Sequence, residues 1–172
     1  MIEPVFVLGV DPGLSRCGYC VIAAGRGAGR VVAMGVLRTD PAADVPARLG
    51  ELLADARSLF DEYRPSALAV ERVLFQVNAR TAIGVAQASG LFMAEAAGRG
   101  LPVSEYSPNQ VKQAVTGMGD ADKDQVQHMV QRLLELPAPP RPADVADAAA
   151  VALTHIAHTA GVTPRTSNGA VT

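Results

Sequence analysis

The chain has 172 residues, 49% of them hydrophobic, with only 4% aromatic, no Trp and a formal net charge of -2. This is enough for one ordinary domain with a proper core but not for two large lobes, and the near-neutral balance excludes a uniformly basic nucleic-acid coat while permitting a local basic patch. No apolar run approaches the roughly 18 residues of a membrane span, and no basic region leads into a signal-like core, so a cytoplasmic protein with no membrane partner is expected.

In chain order, "VFVLGV" at 5–10 reads as a buried strand, and "CGYCVIA" and "VVAMGVLRT" as two more, joined by Gly-rich connections such as "AGRGAG". Three such strands form an antiparallel meander. Apolar positions Val45, Leu49, Leu52, Leu53, Ala56, Leu59, Phe60 and Tyr63 then recur at three and four, which predicts an amphipathic helix ended by Pro65. "ALAVE" at 67–71 is a short buried strand, 78–98 a long Ala-rich helix stopping at "GRG", and "PVSEY" a fifth strand. "SPNQ" is a capping box with Ser107 as N-cap, and "DKDQ" starts another helix with Asp122 as cap, before the stripe Val126, Met129, Val130, Leu133 and Leu134. The Pro-rich "LPAPPRP" separates the last helix, about 143–159, and residues 161–172 read as a disordered tail beyond a single domain at 1–160. The order β-β-β-α-β-α-β followed by helices is that of an α/β protein.

Cys17 and Cys20 make a single C-x-x-C, and the histidines, His128, His155 and His158, lie far off without zinc-finger spacing. Three residues apart on a strand, the two thiols point to opposite faces, which predicts buried free cysteines rather than a disulfide or redox pair.

The carboxylates carry more. Asp11 ends the first strand and Glu71 ends the fourth in the same way; a crossover helix makes those strands parallel, so the two side chains are expected as neighbours. "ADVADAAAVA" sets Asp144 and Asp147 three residues apart on one face of the last helix, among Ala and Val that would pack on the sheet. Each has an ordinary explanation alone: turn chemistry for Asp11 before Pro-Gly, the helix dipole for Asp144, pairing with Arg72 or Arg80 for Glu71. Asp147 has no Lys or Arg one turn on. Together, four like charges on a low-dielectric sheet edge raise one another's pKa or demand a cation. All-oxygen ligands suit Mg²⁺, with Mn²⁺ as a substitute, and two such ions about 3.5–4 Å apart are a usual means of phosphodiester hydrolysis.

"GVDPGLSRCGYCVI", "AVERVLF", "VKQAVTGMGDADKDQVQHMV" and "ADVADAAAVALTH" together resemble the RuvC family of Holliday-junction resolvases, in the family's order, from about residue 5 to 158. The resemblance implies an RNase H-like fold, a five-stranded mixed sheet with three antiparallel strands followed by two parallel ones, flanked by helices. It implies a homodimer that binds four-way junction DNA and nicks two strands of like polarity symmetrically, with one Mg²⁺-dependent active site per subunit. The family's acidic tetrad falls on Asp11, Glu71, Asp144 and Asp147: Asp11 bridging two ions, Glu71 and Asp144 completing the coordination, Asp147 a ligand or base. Lys112 and Lys123 match lysines near the scissile phosphate or DNA backbone. An aromatic that stacks on an unpaired base is expected three residues after the Glu; Leu74 stands there and Phe75 follows, leaving base stacking and a core position both open for Phe75. Arg80 is a candidate phosphate contact, and its helix, through Ala82, Ala86 and Gly90, the expected dimer seam. The implied partners include a branch-migration complex of a junction-binding tetramer and a hexameric ATPase.

Three other readings fit parts of the pattern. A sugar-kinase-like ATPase shares the strand, Asp and Gly-turn but needs a second lobe. A ribonuclease H acting on hybrids would use the same carboxylates, and only the basic segment 107–132 favours junctions. A non-catalytic junction-binding module would gain nothing from four carboxylates facing phosphates.

Overall fold

A computed structural model describes residues 5–25, 27–72 and 79–160, without the side chains of residues 79 and 80. β1 (Val5–Asp11), β2 (Arg16–Ala24) and β3 (Arg30–Arg38) form the expected antiparallel meander. β4 (Ala67–Glu71) and β5 (Val103–Tyr106) add parallel strands on the other side of β1, giving the order β3-β2-β1-β4-β5. Helices α1 (Val45–Tyr63) and α2 (Ala79–Gly98) make the crossovers; α3 (Pro108–Thr116), α4 (Lys123–Leu133) and α5 (Ala143–Thr159) follow.

Local chemistry sets the helix boundaries. Asp44 caps α1 by accepting from the Ala47 N–H, and the helix stops where Arg64 turns left-handed at φ 44 ahead of Pro65. Ser107 with Gln110, and Asp122 with Gln125, form reciprocal capping boxes on α3 and α4. Two residues at helix ends depart from the predicted apolar stripes: Val45 is 41% exposed and Leu133 37% exposed, because the first and last turns overrun the edge of the core. Leu134, just past the end of α4, is buried instead.

The period-two alternation of the strands divides the core into two layers. Leu8, Val10, Cys17, Val21, Leu68 and Val70 face α1 and α2, where they meet Leu52, Phe60 and Phe92. Val7, Cys20, Ile22, Ala69 and Tyr106 face the other way, onto Val111, Val126, Val130 and Val151 of α3, α4 and α5. Cys17 and Cys20 thus lie on opposite faces as free, buried residues, and burial pushes both thiols up to about 12, which keeps them protonated and unreactive.

Helix α5 is buried from Val145 through Ile156 except at the half-buried Asp147, so it reads as a core helix rather than an amphipathic one. Its Ala residues and the sheet's glycines let it lie very close to the strands: a Cβ on Gly9 would sit 2.7 Å from Cβ of Ala152, and one on Gly18 would overlap the carbonyl oxygen of Asp144. Among the described residues no helix is long and apolar enough to cross a membrane. The tail read at 161–172 lies outside the described residues.

Candidate active site

Strand alternation decides where the strand-end carboxylates point. Asp11 shares parity with Val7 and Gly9, and Glu71 with Ala69, so both project on the α5 side of the sheet. The β1–β4 register pairs Val10 with Val70, which sets Asp11 and Glu71 side by side one residue further on. Asp11 also pairs across β2 with Gly18, the bare position on which the first turn of α5 rests. That contact brings Asp144 to the strand ends, and Asp147 follows one turn later.

The four carboxylates act on one another. Burial pushes Asp11 from 3.8 up to about 8, and the charges of Glu71, Asp147 and Asp144 push the same way. Burial raises Glu71 first and Asp147 adds to it; burial also raises Asp147, with Asp144 contributing. Protein cations oppose this. Lys123 Nζ lies 3.7 Å from Oδ2 of Asp147 and favours the ionised forms of Asp11, Glu71 and Asp147. Lys112, from α3, acts on Glu71, and it is these two lysines rather than the neighbouring Arg72 that counter its charge. Arg16, the first residue of β2, forms an ion pair with Asp144.

A profile of the crossover junction endodeoxyribonuclease RuvC family matches residues 7–155. The chain belongs to the RuvC family. A crossover junction endodeoxyribonuclease RuvC from Streptomyces avermitilis is 53% identical over 153 residues, covering 87% of this chain and 86% of its own. T. thermophilus RuvC, solved in complex with Holliday junction substrate, matches at 37% identity with a TM-score of 0.85, covering 90% of this chain and 94% of that one. The yeast mitochondrial Holliday junction resolvase Ydc2, 15% identical with a TM-score of 0.62 over 90% of this chain and 80% of its own, shares the RNase H-like fold alone.

The RuvC family is one of divalent-metal-dependent nucleases. The donor set of this chain fits a hard divalent cation: the converging groups are all carboxylates, and one of them keeps its proton up to about pH 8 unless positive charge arrives. Among the described residues no three such side chains are gathered into a ready ligand shell as they stand; Asp144 and Asp147 are turned to Arg16 and Lys123.

Two features of this RuvC-family site escaped the sequence reading. One is Arg16, whose signal was its position two residues before Gly18, on the same face of β2. The other is a strap on the turn that follows Asp11. Thr39 Oγ1 donates to the Leu14 carbonyl at 2.7 Å, and Arg48 of α1 donates from Nε to Thr39 Oγ1 at 3.0 Å and from Nη2 to Ser15 Oγ at 2.5 Å. The strap ties the segment between Asp11 and Arg16 to the helix layer on the opposite face of the sheet. Of the other expected residues, Phe75 with its neighbour Leu74, and the side chain of Arg80, lie outside the described residues. Ala82, expected at a dimer seam, is 8% exposed and so covered within the chain itself; Ala86 and Gly90 are half-buried, and Ile83 is the exposed apolar residue of that turn at 60%.

Proposed function

We propose that this chain is a Holliday-junction resolvase, a structure-selective endodeoxyribonuclease that makes paired symmetric nicks in four-way DNA junctions during recombination and repair. The observation that carries the reading is the convergence of Asp11, Glu71, Asp144 and Asp147 from β1, β4 and α5 onto one sheet edge, in a member of the RuvC family. These four would hold Mg²⁺, two ions per site, with Mn²⁺ as a substitute. Bound ions supply Lewis acidity, lowering the pKa of an attacking water and stabilising the leaving oxygen.

The protein's own groups do the rest. Asp11, buried and most crowded by like charge, would have to give up its proton at neutral pH to serve as a ligand, so it is the residue most dependent on metal. Asp147 is a ligand or the base that accepts the water's proton at a carboxylate oxygen, with Lys123 beside it to hold that carboxylate ionised. Lys112 and Lys123 neutralise the phosphate charge that grows in the transition state. Phe75 and Arg80 are candidate contacts to an unpaired base and a phosphate. The functional unit is a homodimer in the cytoplasm, and a branch-migration complex delivers its junctions.

The test is cleavage of a labelled synthetic four-way junction beside a linear duplex and an RNA–DNA hybrid, with Mg²⁺ and with chelator. Mg²⁺-dependent symmetric nicks confined to the junction are expected. Cutting of the hybrid in preference to the junction would make the chain a ribonuclease on the same fold.

A further inference from the structure

We propose that Arg16 and Arg38 form a phosphate-binding site at the rim of the active site, in which Arg16 exchanges Asp144 for a DNA phosphate when a divalent cation takes that carboxylate. This rests on the resolvase reading.

Four observations lead to it. Arg16 pairs directly with Arg38 across β2 and β3, so their side chains leave the sheet on the same face, the one that carries Asp11 and α5. Like charges directly opposite on neighbouring strands are unfavourable unless something anionic lies between or beside them. Arg16 has such a partner in Asp144, while Arg38 forms no ion pair among the described residues. Finally, the Arg16 side chain is 44% exposed although ion-paired, so its guanidinium has room to turn.

Charge decides the direction of the exchange. Without metal, Arg16 and Lys123 between them hold Asp144 and Asp147. A divalent cation on Asp144 turns the guanidinium from a counter-ion into a like charge beside the metal. The backbone of Arg16 is fixed in the β2–β3 ladder, so only the side chain can leave. It then stands beside Arg38 as two adjacent planar forks with no carboxylate on either, an arrangement suited to a phosphodiester oxygen pair. Both arginines would thus grip DNA next to the cut only once metal is in place, Arg38 alone without it.

The experiment measures the salt dependence of junction binding for wild type, Arg16→Ala and Arg38→Ala, in chelator and in Ca²⁺ at concentrations where gels show the junction intact. Removing one arginine–phosphate pair should flatten the log–log slope by about 0.9. Arg38→Ala should flatten it in both conditions. Arg16→Ala should flatten it in Ca²⁺ and leave it unchanged in chelator. In DNA-free protein, Arg16→Ala should lower the half-saturating metal concentration, read by calorimetry, by about 2–5-fold, the range of a partly exposed ion pair; Arg16→Lys, which keeps the charge and controls for folding, should retain the wild-type value. Equal flattening by Arg16→Ala with and without metal would overturn the exchange, as would no flattening in Ca²⁺ or an unchanged metal affinity. A wild type that binds neither metal nor junction would instead overturn the resolvase reading itself.

Discussion

Nζ of Lys123, the first residue of α4, lies 3.7 Å from Oδ2 of Asp147 on α5, and so supplies the counter-ion that Asp147 lacks on its own helix. The lysine side chain is 77% exposed, yet its charge reaches Asp11 and Glu71 as well. A merely solvated lysine would do neither. Lys123→Ala should lower the cleavage rate by about 10²-fold, the usual cost of losing one group aimed at developing charge, while junction affinity changes far less. Lys123→Arg should recover part of the rate. Single-turnover cleavage beside a binding titration separates the two effects, and an equal drop in both would reduce Lys123 to a DNA-backbone anchor.

Gly18 is where fold and site are most tightly coupled. It pairs with Asp11 in the sheet and lies directly under the Asp144 carbonyl, leaving no space for a methyl group. Gly18→Ala must lift the first turn of α5 off β2. We expect a loss of about 1–3 kcal/mol in urea unfolding, as for other overpacked positions, together with a drop in cleavage because Asp144 moves with the helix. Gly50→Ala in α1, where an added Cβ meets nothing, should leave cleavage unchanged and raise stability by up to about 1 kcal/mol through helix propensity. A Gly18→Ala protein with wild-type stability would show that α5 does not rest on β2 this closely.

The strap on the turn after Asp11 predicts a position-dependent effect far from the carboxylates in sequence. Thr39 is buried, and its hydroxyl both donates to Leu14 and accepts from Arg48. Thr39→Val keeps the shape and removes both bonds, which at about 0.5–1.5 kcal/mol each should cost about 1–3 kcal/mol. Cleavage should fall more than binding, since the turn sets the approach between Asp11 and Arg16. Thermal unfolding and cleavage assays on the same preparation check this; unchanged cleavage would make the strap a stability element only.

On the α5 face of the sheet, where Tyr106 pairs with Glu71, the Tyr106 hydroxyl lies 3.0 Å from Nδ1 of His155, and burial holds His155 below its ordinary value of 6.5, helped by the charge of His158. The unfolded chain therefore binds a proton near pH 6.5 that the folded chain takes up only at lower pH. Stability is therefore fully present above about 6.5 and is lost as pH falls below it, through the lowered folded value. His155→Asn should flatten the decline in Tm between pH 7 and pH 5. If the decline is unchanged in the variant, the acid sensitivity belongs to another group.

The strands were legible because alternation and Gly-rich turns are local signals, and the same alternation fixed the face onto which Asp11 and Glu71 project. The spacing of Asp144 and Asp147 placed them on one helical face for the same reason. What the sequence did not disclose were the pairings of Arg16 with Asp144, Lys123 with Asp147 and Arg48 with Thr39. Each joins residues on different elements, and no local period encodes which cation a packed helix will meet. The predicted apolar stripes failed at Val45 and Leu133 for a related reason: periodicity marks a face, but only packing shows where along the helix the core ends.

The role of the acidic site is tested most directly with Asp11→Asn: cleavage of a four-way junction in Mg²⁺, with binding of the same junction followed in parallel. Burial and its neighbours hold the Asp11 carboxyl at about 8, so Asn mimics the protonated form it carries at neutral pH without metal: the variant loses the anionic ligand and adds no repulsion of phosphates. Cleavage should be abolished, and junction binding should be equal to or tighter than wild type. Retained cleavage would contradict the role given to Asp11, and loss of binding with loss of folding would show that Asp11 holds the structure rather than the metal.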